Sequence, residues 1–68
     1  MTKFGKWLTE ERKNLGLSRE RLAARAGISF QTIQRAENGH EILPMSEETI
    51  ARAIKIITQE RKRERSKA

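Results

Sequence analysis

The chain predicts an all-α domain, a compact bundle of four to five short helices around one small core. Three observations carry this reading. Apolar residues recur at helical spacing in successive segments: Phe4, Leu8 and Leu15; Leu22, Ala23 and Ala26; Ile33 and Ala36; Ile50, Ala53, Ile54 and Ile57. Each of the first three segments is bracketed by a capping side chain and a glycine: Thr2 with Gly16, Ser18 with Gly27, Ser29 with Gly39. Finally, 68 residues that are 35% hydrophobic suffice for one core and leave no room for a deep cleft.

Residues 2–15 read as the first helix, capped by Thr2 and stopped at Gly16, with Arg12 at the margin of its apolar stripe. Gly5 inside it costs ~1 kcal/mol relative to alanine, so its first turn is expected to fray. Trp7 lies beside the stripe, either as a rim residue shielding the core or as an anchor for a partner. Leu17 is placed to plug the gap between the first two helices.

The second helix is capped by Ser18, has Glu20 in its first turn, and ends at Gly27, where the chain needs positive φ. Small Ala23 lets the next helix cross closely. That third helix is capped by Ser29 and ended by Asn38-Gly39. Ile33, Ala36 and Glu37 fall on one side of it, and Gln31, Gln34, Arg35 and Asn38 on the other. Amides with an arginine on a free helix face match the edges of base pairs, glutamine with adenine and arginine with guanine. The pair of helices is a helix-turn-helix.

Residues 40–45 are expected to form an apolar loop, Pro44 biasing Leu43 to an extended conformation. Ser46 is the expected cap of the fourth helix, with Glu47 and Glu48 near its positive end. Ile56 points off its core stripe, a candidate contact for another chain. Residues 64–68 are expected to be disordered.

The formal net charge of +6 suits a polyanionic partner, and it is unevenly spread. Residues 1–60, the expected domain, carry ten Lys and Arg against eight Glu, whereas the basic tail 61–68 carries five against one. There is no cysteine and only one histidine, His40, which excludes disulfides and makes metal binding improbable. No apolar run approaches the ~18–20 residues that span a bilayer, and no secretory leader is present, so the cytoplasm is expected. Glu10-Glu11 and Glu47-Glu48 are helix-surface doublets, and no nucleophile–base pair or phosphate loop accompanies them. No enzyme, cofactor or small-molecule ligand is expected.

Arg19, Leu22, Ala23, Gly27, Ile28, Ile33 and Ala36, followed by Glu37-Asn38-Gly39, resemble the phage repressor and Cro family of XRE-type helix-turn-helix domains. The likeness spans roughly residues 4–57, with the helix-turn-helix at 19–38. It implies a lambda-repressor-like fold and a cytoplasmic phage or bacterial regulator. Such a regulator binds a palindromic operator in double-stranded DNA as a homodimer, through a recognition helix at 30–38. By this resemblance Gln31 and Arg35, with Thr32 and Gln34, read bases. Phe30 replaces the polar residue common there, so it either packs on the helix pair or meets a thymine methyl. Ser18, Arg19 and Ser29 would hold one phosphate run, and Asn38, Gly39 and, more weakly, His40 a second. Arg12 and Glu37 match a buried salt bridge of some family members. Ile42 and Met45 stand where Lys or Arg is common. With Leu43 and Ile56 they are candidates for the dimer interface, or else simple core filling. An alternative is an antitoxin whose partner is a toxin protein and which binds DNA to regulate itself.

Overall fold

The computed structural model describes residues 2–66. Helix α1 spans Lys3–Asn14, α2 Arg19–Ala26, α3 Phe30–Glu37 and α4 Pro44–Ser66. The expected range of four to five helices thus resolves to four among the described residues. Thr2, Ser18 and Ser29 cap the first three as their positions suggest, each side chain accepting an amide N–H three residues on. The helix-turn-helix bend depends on Gly27, whose φ of 71° lets the Ile28 amide return to the Ala23 carbonyl at 3.1 Å. The same closure, with the amide five residues on bonding back, ends α1 at Leu17 and α3 at His40.

Helices α3 and α4 each pack against both α1 and α2. Leu8, Leu22, Ile33 and Ile50, one from each helix, are fully buried at the centre. Leu15, Ala23, Ala36, Ile54 and Ile57 complete the cluster, and Phe4, Leu17, Ile28 and Ile42 pack at its edge. Trp7 remains over a third exposed, its ring tilted against Phe4 at 5.7 Å between centroids.

Three expectations are corrected. The fourth helix starts at Pro44, not Ser46: proline lacks an N–H that the first turn does not use, and its fixed φ suits a helix start. The Leu43 carbonyl accepts the first amides, from Ser46 at 2.9 Å and Glu47 at 3.1 Å. At the other end α4 continues to Ser66, so residues 64–66, expected to be disordered, are helical, while 67–68 lie outside the described residues. Gly5 is also no weak point. It is buried against α3, and a Cβ there would stand 2.3 Å from the Ala36 carbonyl oxygen. Glycine lets α1 rest directly on the end of α3.

Candidate nucleic-acid interface

Helix α3 is two-faced because its sequence is. Ile33, Ala36 and Glu37 are buried, whereas Phe30, Gln31, Arg35 and Asn38 are exposed and Thr32 and Gln34 are half-buried. Gln31 and Arg35, four residues apart, stand one turn from each other along the free face. They line an open groove whose other wall is Glu41, Leu43 and Pro44. The Thr32 hydroxyl lies 2.8 Å from the Ser29 hydroxyl, so it is engaged with the cap. Phe30 is 39% exposed in the first turn of α3 and does not join the core cluster.

The helix ends present the polar groups expected to meet phosphate. Ser18 and Ser29 are exposed, and each uses its oxygen to accept an amide, from Arg21 at 3.1 Å and Thr32 at 3.2 Å. Asn38 and His40 are exposed and Gly39 half-buried where the chain leaves α3.

Glu37 anchors the buried face. Its side chain is 1% exposed. Arg12 of α1 grips the carboxylate with two donors, Nε to Oε2 at 2.7 Å and Nη2 to Oε1 at 3.0 Å, and gives Nη1 to the Leu17 carbonyl at 2.9 Å. The family resemblance implies the pairing of Arg12 with Glu37, but it does not disclose the third member. Arg19, read as a phosphate ligand, donates Nε to Glu37 Oε1 at 3.1 Å. Its side chain is 35% exposed against 13% for Arg12, so it reaches from the buried carboxylate to the surface at the start of α2. Burial pushes the Glu37 carboxyl up, but the hydrogen bonds and charges of Arg12 and Arg19 outweigh it and hold the group below the usual carboxylate range. Every buried side-chain polar atom among the described residues has a partner.

The four apolar residues considered for an interface divide. Ile42 is half-buried and packs against the core, the core-filling arrangement. Leu43, Met45 and Ile56 are exposed, at 73%, 78% and 47%. Met45 and Ile56, eleven residues apart, fall on one face of α4. A second groove, of about 780 Å³ between α2 and α4, is rimmed by Arg21, Arg25, Glu60, Arg61 and Glu64 and crossed by the Arg25–Glu60 pair at 2.6 Å. No helix among the described residues is long and apolar enough to cross a membrane.

A family model described as helix-turn-helix matches residues 8–57, a span that begins and ends on the buried residues Leu8 and Ile57. No curated protein and no solved structure matches the chain.

Proposed function

Since the chain belongs to the Cro/C1-type helix-turn-helix family, whose members are DNA-binding domains and not enzymes, we propose that it is a sequence-specific regulator of transcription acting on duplex DNA. The observation that supports this most is the exposure of Gln31 and Arg35 one turn apart on a helix whose opposite face is held by Glu37. Helix α3 lies in the major groove, where Arg35 pairs with guanine O6 and N7 and Gln31 with adenine N6 and N7. Phe30 is the apolar member of the set and packs on a thymine methyl. Gln34 is a lesser contributor, and Thr32 acts more through the Ser29 cap than on a base.

Phosphates bracket the helix. Ser18 and Arg19 at the start of α2, with Ser29, hold one run, and Asn38, Gly39 and His40 hold the other. Repression follows from occlusion of a promoter, which needs no further surface.

One eight-residue helix reads few base pairs, so two copies bind half-sites one helical turn apart on a near-palindromic operator. Leu43, Met45 and Ile56 form the contact between copies. Ile56→Glu then lowers cooperativity on the two-half-site duplex about tenfold and leaves binding to one half-site unchanged. Equal binding of the variant to both duplexes relative to the parent would remove α4 from the interface.

Selection of bound duplexes from a random pool tests the whole reading. The expected result is a two-fold symmetric motif with guanine and adenine at fixed positions in each half. Recovery of no motif would end the proposal of sequence-specific regulation.

A further inference from the structure

We propose that Arg19 is a positioning residue for base readout: through its ion pair with Glu37 it fixes the C-terminal half of α3, and so the base that Arg35 discriminates. The inference rests on the reading of α3 as a recognition helix.

Helix α3 is about 12 Å long and is held near its two ends. At the start stand the Gly27 bend and the Ser29 cap. Toward the end stands Glu37, which belongs to three other parts of the molecule at once. Arg12 ties it to α1 and, through the Leu17 carbonyl, to the α1–α2 connection, while Arg19 ties it to the first turn of α2. Arg35 sits two residues before Glu37 within the same helix, so a shift at the carboxylate moves Arg35 with no joint between them. Gln31 lies six residues before Glu37, beside the Ser29 anchor, and is sheltered from the same shift. Bidentate readout is sensitive to displacements of about half an ångström, well within what the loss of one anchor allows.

The two arginines are not equivalent. Arg12 is mostly buried and spends Nε, Nη1 and Nη2 inside the fold. Arg19 is 35% exposed and commits Nε to the carboxylate. A guanidinium is a rigid fork of five donors, so it holds Glu37 with one edge while its outer edge faces the phosphate run proposed at the start of α2. Contact with the backbone and placement of the base-reading side chain then pass through one planar group. Lysine supplies the same charge but only a compact ammonium, which cannot span both acceptors in that geometry.

The test compares Arg19→Lys and Arg19→Gln with the parent on the selected duplex, on its single-base variants and on scrambled DNA. Measurements run at several salt concentrations, at a temperature where circular dichroism shows each protein folded. Arg19→Lys keeps the cation, so any fall in affinity on scrambled DNA should recur equally on the selected duplex and divide out of the discrimination ratios. The variant should lose about tenfold in discrimination at the base pair read by Arg35, and less than about threefold at that read by Gln31. Arg19→Gln should add a uniform loss on every duplex and a shallower slope. In a Glu37→Gln background, Arg19→Lys should alter discrimination no further.

Full base preference in Arg19→Lys, with or without a lower melting temperature, would overturn the proposal and leave Arg19 a structural or phosphate residue. So would equal loss at both base positions. A parent protein that prefers no sequence takes away the recognition-helix reading and this inference with it, whereas a selective parent with a selective lysine variant defeats the inference alone.

Discussion

At the scale of single residues, the molecule turns on a carboxylate that water does not reach. Glu37 is ionised in the fold because Arg12 and Arg19 together overcome the penalty of its burial. Its pKa is therefore lower folded than unfolded, where a glutamate titrates near 4.3. The stability it contributes is present in full above that ordinary range and is lost as pH falls through the lowered folded value. Urea denaturation at pH 7 and pH 3 should show the parent less stable in acid and Glu37→Gln less sensitive to the same change. At pH 7, Glu37→Gln should cost about 3 kcal/mol, the low end for a broken buried pair, because Arg19 is partly screened by solvent. A parent equally stable at both pH values would dismiss the buried ion cluster. Arg35 is the opposite kind of residue, exposed and without structural duty. Arg35→Ala should leave the melting temperature in place, weaken cognate binding by ~1–3 kcal/mol and relax preference at one base pair. The same loss on scrambled duplexes would argue against base contact. The Arg12–Glu37 pair is implied by the family resemblance, and the exposure of Arg35 follows from the helical period of α3. The bond from Arg19 to Glu37 follows from neither. Eighteen positions separate the two residues, no local period links them, and a cation at a helix start already had an explanation in phosphate.

At the scale of helices, the sequence is most informative where local chemistry decides and least where helices meet. Caps at Thr2, Ser18 and Ser29 and the bend at Gly27 are local, and all four are readable without a fold. Gly5 is the contrary case. Helix propensity alone makes Gly5→Ala favourable by ~1 kcal/mol. The crossing of α1 on α3 makes it unfavourable, because the new Cβ would lie 2.3 Å from the Ala36 carbonyl oxygen, a backbone atom that cannot swing aside. Overpacking of this kind costs about 1–3 kcal/mol, so Gly5→Ala should melt lower than the parent by roughly 5–15 °C. An unchanged or raised melting temperature would mean that the helices cross farther apart. The start of α4 is hidden in the sequence for a related reason. Proline reads as a helix breaker along a sequence, yet at the first helical position it gives up no hydrogen bond, and the Leu43 carbonyl supplies the closing acceptor.

At the scale of the whole molecule, the last question is what the end of α4 does. The helix runs 23 residues, about 34 Å, in a molecule whose longest extent is 40 Å. Its buried residues stop at Ile57, and residues 61–64 are exposed, so the basic segment extends past the core that defines the domain. Removing residues 61–68 takes away five Lys and Arg and one Glu, which lowers the net charge from +6 to +2. The apolar core and the Arg25–Glu60 pair stay intact, so stability should change by no more than about 0.5 kcal/mol. DNA binding should respond differently, because counterion release follows the number of phosphates neutralised, at about 0.9 of a log unit per log unit of salt for each. If the segment meets two phosphates, the salt slope becomes shallower by about 1.8, and affinity falls on cognate and scrambled duplexes alike. The ratio between them should hold, since the proposed base readout lies on α3, which the truncation does not touch. An unchanged slope would place the basic end away from the duplex. A changed ratio would give it a share in reading sequence or in the proposed pairing of copies, a role its lack of an apolar face does not suggest.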